Sequence, residues 1–246
     1  MKFTFLFYLL LGLSVQAMAQ TVTDSVTISG RITDYNNQPL DSVDVIFQRS
    51  NFSIVCQTKT DPNGTYRIRV PKGKYQNMMA VNMNRYIHTA SPHFTDKEKR
   101  LEFWGFNYIA DRDTTLNIQY DRMEAYGLTA WRIPGAAPSY MIYVRPMSLS
   151  RYQSGVNNAA PKMLLAAAPD QLGVKVLIDS EEVEVIMKQE IKEYIPGGYC
   201  NAYLLTVALP KGKTDLPYSI FKVQLHDLEN GDKGEGIYFM EKQNHF

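Results

Sequence analysis

The sequence predicts an all-β protein that contains two successive β-sandwiches. After residue 20, valine, isoleucine, threonine and tyrosine are frequent and alternate with polar residues in short runs, and Asn, Gly, Pro and Asp separate the runs. Residues 61–75 show this most clearly, because a turn at 61–64 precedes an alternating run at 65–70 and a second turn at 71–73 leads to Tyr75. Apolar residues at every second position indicate antiparallel strands with one buried face.

The first predicted domain covers residues 24–120. Its alternating runs predict strands near residues 26–32, 43–48, 54–60, 65–70, 75–83, 101–110 and 115–120. Residues 90–99 are polar and charged, which predicts a loop. A domain boundary is expected near residues 121–127, because Asp121, Arg122 and Gly127 interrupt the alternation.

The second predicted domain covers residues 127–246 and repeats the pattern without repeating the sequence. Strands are expected near residues 139–145, 173–179, 183–188, 203–209, 218–226 and 237–241. Residues 162–168 are strong helix formers between Pro161 and Pro169, which predicts a helix of at most two turns. Several short strands in a segment of this length favour an immunoglobulin-like sandwich.

The first 19 residues have the pattern of a secretory signal peptide. Lys2 precedes an apolar run at residues 3–15, and Ala17-Met18-Ala19 provides the small residues at a cleavage site. The apolar run is shorter than the roughly 20 residues that a membrane-spanning helix needs. We therefore expect export, cleavage after Ala19 and no transmembrane segment in the mature chain.

The charge of the mature chain argues against nucleic acid as a partner. The full chain has 26 basic and 25 acidic residues, and residues 1–19 include Lys2 but no acidic residue. The mature chain is therefore balanced, whereas nucleic acid and anionic membranes attract proteins with a basic excess. Cys56 and Cys200 are far apart in sequence and predict two free, buried thiols, with a bridge between the domains as the alternative.

Motifs in residues 24–86 resemble the carboxypeptidase regulatory-like domain. They are Ile28-Ser29-Gly30-Arg31-Ile32-Thr33-Asp34, Gln38-Pro39-Leu40, Thr60-Asp61-Pro62-Asn63-Gly64-Thr65-Tyr66 and Val70-Pro71-Lys72-Gly73-Lys74-Tyr75. The resemblance implies a transthyretin-like (prealbumin-like) sandwich without catalytic activity. Asn84-Arg85-Tyr86 departs from it, because the family tends to have a glycine before the aromatic residue.

The whole chain also resembles exported proteins of gut Bacteroidetes that have no assigned function. The motifs that carry this are Leu101-Glu102-Phe103-Trp104, Tyr126-Gly127-Leu128-Thr129-Ala130-Trp131 and Tyr143-Val144-Arg145-Pro146-Met147-Ser148. This resemblance implies a Gram-negative source, and hence a periplasmic or cell-surface location.

Candidate catalytic residues are few. His226 and Glu229 have the H-x-x-E spacing of zinc carboxypeptidases, but His245 is the one downstream histidine that could complete the site. Cys200 would need a histidine beside it to act as a nucleophile. There is no H-E-x-x-H or G-x-S-x-G motif and no glycine-rich phosphate loop. We therefore expect neither catalysis nor a cofactor, and a hydrolase is a remote alternative.

Two groups of residues are candidates for binding. Aromatic rings can stack on sugars, and the candidates are Trp104, Phe106 and Tyr108 on one face of a strand, with Trp131 and Arg132 beyond the domain boundary. Packing in a core is the alternative for these rings. A weak calcium candidate consists of the side-chain oxygens of Asp227, Glu229 and Asp232, with Asn230 and Glu235 nearby.

These observations favour a non-enzymatic binding or scaffolding protein of the cell envelope. The expected partner is a polysaccharide or an envelope protein. Glycan binding is the first hypothesis, because of the aromatic content and the export signal. A protein–protein adaptor is the alternative, because β-sandwiches expose strand edges that can pair with another chain.

Overall fold

The computed structural model describes residues 24–132 and 138–242. The predicted signal peptide, residues 1–19, lies outside these ranges. The strands are β1 (Ser25–Thr33), β2 (Asp44–Gln48), β3 (Ile54–Lys59), β4 (Thr65–Pro71), β5 (Gly73–Val81), β6 (Phe103–Ala110), β7 (Thr114–Thr115), β8 (Ile118–Gln119), β9 (Met123–Trp131), β10 (Ser139–Ser148), β11 (Asn158–Ala159), β12 (Lys162–Met163), β13 (Leu172–Ile178), β14 (Glu181–Val183), β15 (Val185–Ile195), β16 (Gly198–Ala208), β17 (Tyr218–Asp227) and β18 (Lys233–Glu241). A single short helix among the described residues, α1 (Leu149–Gln153), follows β10. The all-β prediction is confirmed.

The strands form three sheets. The first has β1 in the middle, with β4 on one side and β7 and β8 on the other. The second has the order β11-β12-β16-β10-β9, and β15 also pairs with β16. The third has the order β14-β13-β17-β18-β6-β5-β2-β3 and therefore contains strands from both halves of the chain. No helix in the described ranges is long and apolar enough to cross a membrane.

The turn at residues 61–64 has the conformation that its sequence predicts. Asp61 Oδ1 accepts hydrogen bonds from the backbone N–H groups of Asn63 and Thr65, both at 2.9 Å. Gly64 has a φ of 73°, and a Cβ atom there would lie 2.4 Å from the carbonyl oxygen of Ile32. Glycine is required because the turn needs a positive φ and because the turn presses against β1.

The first hydrophobic core lies between the small sheet and the β2-β5-β6-β18 part of the large sheet. Ile28 on β1 and Val70 on β4 face Phe47 on β2 and Phe103 on β6, and all four are fully buried. The second core lies between the β9-β10-β16 sheet and β13-β17. Each core therefore lies between the two sheets of one β-sandwich, as the sequence predicts.

The two sandwiches share the large sheet and lie on its opposite faces. Along β18, Ile237 and Phe239 enter the first core, whereas Tyr238 and Met240 pack against the second. β18 also pairs in parallel with β6, with Ile237 opposite Gly105. The division into domains 24–120 and 127–246 stays a prediction, since this sheet runs through both.

The predicted interruption at residues 121–127 is wrong at its C-terminal end. Met123–Trp131 forms β9, a continuous strand that pairs with β10. Gly127 does not end the strand, because its φ of 66° accommodates a register shift opposite residues 143–145.

The helix predicted at residues 162–168 is also wrong. Lys162–Met163 is strand β12, and the following alanines lie in an irregular segment whose Ala166 and Ala167 are buried in the second core. The Asn201 side chain donates to the carbonyl oxygen of Ala166 and accepts from its N–H, and Tyr203 donates to the carbonyl oxygen of Ala167. These tertiary hydrogen bonds replace the intrahelical ones, so packing overrides the helix propensity of the alanines.

Candidate functional site

The aromatic residues of β6 do not form one surface. Asn107 has a φ of 50°, which breaks the alternation along the strand. Before it, Phe106 stacks on Trp104, with ring centroids 5.6 Å apart. After it, Tyr108 is 1% exposed in the first core and lies 5.2 Å from the ring of Phe47. The prediction of a shared face is therefore wrong for Tyr108.

Trp104 forms part of the packed interior. It is 8% exposed, and its Nε1 donates to Glu124 Oε2 at 3.2 Å. The rings of Trp104 and Tyr126 meet edge-to-face, with centroids 5.7 Å apart. The guanidinium of Arg145 lies 4.5 Å from the centroid of the Tyr126 ring. A ring enclosed in this way cannot offer its face to a sugar.

Trp131 and Arg132 lie away from this cluster. Trp131 is partly buried at the far end of β9, five residues beyond Tyr126, which corresponds to roughly 15 Å along a strand. Arg132 is exposed and lies 6.0 Å from the ring of Tyr140. The five predicted ligand-binding residues are therefore spread over three places in the fold.

The carboxylates of the calcium candidate are bound by arginines. Asp227 accepts hydrogen bonds from Arg151 Nε at 2.6 Å and Nη2 at 3.1 Å, and exposed Glu229 pairs with the same guanidinium. Asp232 lies 3.2 Å from Arg122 Nε. In residues 24–132 and 138–242, no group of three or more His, Cys, Asp or Glu side chains is placed to hold a metal ion. The structure does not support a calcium site here.

The neighbours of this cluster are occupied in the same way. Glu235 is fully buried and accepts from Lys222 Nζ and Gln224 Nε2, both at 2.9 Å. The Asn230 side chain donates to Asp227 Oδ2 at 3.0 Å. The polar groups of the β17–β18 hairpin therefore have partners within the hairpin and on the neighbouring segments that carry Arg122 and Arg151.

Both cysteines are free thiols, so the alternative of a bridge between domains is wrong. Cys200 is buried, its Sγ accepts from Arg145 and donates to the carbonyl oxygen of Glu193, and burial raises the pKa of the thiol. Burial also raises the pKa of Cys56 to about 11. A raised pKa disfavours the nucleophilic thiolate. His226 lies on β17 in a different sheet, and His245 lies outside the described residues.

A polar cleft of about 400 Å³ lies between two loops that the sequence analysis did not connect. One loop, residues 34–43, joins β1 to β2, and the other, residues 82–102, joins β5 to β6. The volume is within the range of about 300–1,000 Å³ that is usual for small-molecule sites. Polar side chains and one aromatic ring dominate the lining: Asp34, Gln38, Asn82, Asn84, Arg85, Phe94 and Arg100.

Local hydrogen bonds hold the two walls of the cleft. Asp34 Oδ1 accepts from the backbone N–H groups of Asn36 at 2.8 Å and Gln38 at 2.9 Å, which stabilises the first loop. Asn82 is buried and connects the loops, because its Nδ2 donates to the carbonyl oxygen of Asp41 at 2.9 Å. Its Oδ1 accepts from the N–H of Asn84.

The arginines form the second wall. The N–H of Arg100 donates to the carbonyl oxygen of Arg85 at 2.8 Å, so the two residues are neighbours. Arg100 Nη1 lies 3.1 Å from Asp121 Oδ1, within salt-bridge distance. The Arg85 guanidinium lies 4.7 Å from the ring centroid of Phe94, a cation–π contact. Arg85 was not among the predicted site residues, although it belongs to the segment that departs from the regulatory-like motif.

A buried carboxyl pair joins the end of the second loop to β9. Glu102 and Glu124 are 9% and 5% exposed, and the two carboxyl groups are close enough for the charge of Glu102 to act on Glu124. Burial raises the pKa of Glu102 to about 7, and burial together with the charge of Glu102 raises the pKa of Glu124. A proton shared between the two carboxyl groups avoids two adjacent buried charges.

No family model matches the chain, and no curated protein matches it. The resemblance to the carboxypeptidase regulatory-like domain therefore rests on its motifs and stays a prediction.

Several solved structures are partly similar to this chain. A DUF3823 family protein from Parabacteroides merdae ATCC 43184 is 10% identical, with 88% of this chain and 98% of that chain covered and a TM-score of 0.27. The major pilin subunit BcpA of Bacillus cereus is 13% identical, with 88% and 69% covered and a TM-score of 0.25. The full-length major pilin SpaD of Corynebacterium diphtheriae is 10% identical, with 88% and 65% covered and a TM-score of 0.20. We infer neither family nor function from scores this low.

The long strand β15 is a second surface that could serve binding. It pairs with β16 along its length, and in the described part of the chain no strand pairs with its other side. Ile186 is 56% exposed, Met187 46% and Tyr194 83%. Lys188 and Lys192 are interspersed with these residues, which is how natural edge strands discourage uncontrolled pairing.

Proposed function

We propose that this chain is an exported, non-enzymatic binding protein of the cell envelope and that it binds a saccharide in the polar cleft. The observation that carries the proposal is the lining of the cleft, which combines amides, carboxylates, guanidinium groups and one aromatic ring. Sugar hydroxyl groups donate and accept hydrogen bonds at once, and this set of side chains offers both partners. The signal-peptide pattern and the resemblance to a non-catalytic domain are consistent with such a role.

The proposal moves the binding site away from the aromatic residues that the sequence favoured. Trp104 and Tyr108 are enclosed in the protein, whereas Gln38 and Asn84 are exposed side chains on opposite walls of the cleft. Asn82 connects the two loops, so the walls are held together before a ligand arrives. Such preorganisation lowers the entropy cost of binding.

Calorimetric titration of the mature protein with neutral and acidic oligosaccharides tests the proposal. We expect at least one saccharide to bind, and Gln38→Ala to weaken its binding about 3- to 10-fold, as expected for the loss of one neutral hydrogen bond. Gln57→Ala is the matched control, because Gln57 is exposed on β3 and does not line the cleft. The proposal fails if no saccharide binds, or if the two variants behave alike.

A protein–protein adaptor is the second candidate, and the exposed edge of β15 favours it. An extended segment of a partner could add to this edge through backbone hydrogen bonds, with Ile186 and Tyr194 as side-chain contacts. Glu190→Pro would remove one outward-facing backbone donor from β15, because Glu190 lies opposite Tyr203 in a pair that is not hydrogen-bonded. Gln57→Pro on the edge strand β3 serves as control. Cross-linking in cell envelopes should then capture a partner with the wild type and with the β3 variant, but not with the β15 variant. Equal capture by all three proteins would contradict this role of β15.

A further inference from the structure

Arg85 differs from the other partly buried arginines of the described chain. Five arginines are partly buried: Arg85, Arg100, Arg122, Arg145 and Arg151. Four of them lie within salt-bridge distance of an acidic side chain, and their partners are Asp121, Asp232, Glu193 and Asp227. For Arg85, no acidic group within the described residues lies at that distance. Its contact is the face of the Phe94 ring, at 4.7 Å.

The position of Arg85 suits an anionic ligand. The side chain lines the cleft, and the cation–π contact with Phe94 holds the guanidinium there. The neighbouring Arg100 differs, because its Nη1 lies within salt-bridge distance of Asp121 and donates to the carbonyl oxygen of Glu98. Arg85 is therefore the cation of the cleft that is available to a ligand. A planar guanidinium binds a carboxylate through two parallel hydrogen bonds.

The opposite wall limits how much negative charge the ligand can carry. Asp34 is held in place by the N–H groups of its own loop, and Asp41 is exposed at the same side of the cleft. These carboxylates would accept hydrogen bonds from hydroxyl groups and would repel a dianionic phosphate. A ligand with one carboxylate at one end and hydroxyl groups at the other fits both walls.

We propose that the cleft binds a saccharide that carries a carboxylate, such as a hexuronic acid unit, with the carboxylate on Arg85 and hydroxyl groups on Asp34, Gln38 and Asn84. This inference rests on the proposed function, because it names the class of saccharide for the same cleft.

Calorimetric titration with charged and esterified sugars tests the inference. The probes are oligosaccharides of galacturonate, glucuronate and mannuronate, their methyl esters, neutral oligosaccharides of the same length and a sugar phosphate. We expect at least one uronate to bind, and its methyl ester to bind about 10- to 100-fold more weakly, as expected for loss of a charge-assisted hydrogen-bonded pair. This comparison uses the wild-type protein and does not depend on the folding of a variant.

Arg85→Gln should weaken uronate binding by the same factor and leave the affinity for the methyl ester within about twofold. Arg67→Gln is the control with the same change in charge, because Arg67 is exposed on β4 and does not line the cleft. If neutral sugars or esters bind as tightly as the uronates, the carboxylate inference fails and the saccharide proposal stands. If the sugar phosphate binds most tightly, the inference also fails. If nothing binds, both fail.

Discussion

Replacement of Glu102 with glutamine removes the titrating group that burial shifts to a pKa of about 7. The folded protein holds this proton at pH values where the unfolded chain, with an ordinary pKa near 4.5, releases it. The contribution of Glu102 to stability is therefore fully present below pH 4.5 and is lost as the pH rises through about 7. Stability should fall with rising pH in this window, which is the opposite of the behaviour of a salt-bridged carboxylate.

The magnitude follows from the shift. A difference of one pKa unit corresponds to 1.36 kcal/mol, so the rise from 4.5 to about 7 corresponds to about 3 kcal/mol of unfolding free energy. The side chain is 9% exposed, so solvent screens this effect little. Glutamine has the same shape and can accept a hydrogen bond from the protonated Glu124, which remains in the variant.

Urea unfolding at pH 4.5, 5.5, 6.5 and 7.5, followed by tryptophan fluorescence, measures the effect. Relative to wild type, Glu102→Gln should gain about 3 kcal/mol of unfolding free energy between the lowest and the highest pH. Glu190→Gln, an exposed glutamate on β15, should show no such gain. A gain of less than about 1 kcal/mol, or a relative loss with rising pH, would refute the assignment of a buried protonated pair.

Three further outcomes are expected. Arg151→Met leaves the fully buried carboxylate of Asp227 without its cation and should cost about 3–5 kcal/mol in urea unfolding, and a cost below about 1 would contradict the buried ion pair. Gly234→Ala places a Cβ atom 1.8 Å from the carbonyl oxygen of Met123 and should cost about 3 kcal/mol or more in thermal unfolding, whereas Gly155→Ala, with φ 73° and no atom within 4 Å, should cost about 1–2 kcal/mol. Equal losses of stability in the two variants would contradict the claim that a Cβ atom at residue 234 clashes with Met123. The Cys200 thiol, 2% exposed, should react with an aromatic disulfide reagent at least about 100-fold more slowly in the native protein than in urea, whereas the partly buried Cys56 should be less protected, and fast native labelling of Cys200 would contradict its burial.

Much of the local structure could be predicted from the chain alone. The period-two pattern located most strands, because a strand with one buried face shows its burial in its own residues. The turn at residues 61–64 was also readable, since Asp61 and Gly64 meet its requirements locally. The prediction failed where tertiary contacts changed the role of a residue. Gly127 was expected to end a strand but permits a register shift inside β9. The alanines after Met163 were expected to form a helix, but Ala166 forms hydrogen bonds with Asn201 instead.

The candidate site could not be predicted in the same way. The prediction of one aromatic surface on β6 assumed that the alternation of side chains continues along the whole strand. The positive φ of Asn107 breaks this alternation, so the side chain of Tyr108 points into the first core. The oxygen-rich hairpin looked like a cation site because the sequence does not show that the guanidinium groups of Arg122 and Arg151 reach it.

By itself, the sequence determined the class of the fold, the positions of most strands and the balanced charge, because each of these is a property of neighbouring residues or of composition. The tertiary structure decided which residues meet. The parallel pairing of β6 with β18 makes the two sandwiches share one sheet, and the packing of residues 34–42 against residues 82–100 creates the cleft. Contacts between segments this far apart in sequence form only when the whole chain has folded. Such contacts produce no periodic pattern in the sequence from which they could be predicted.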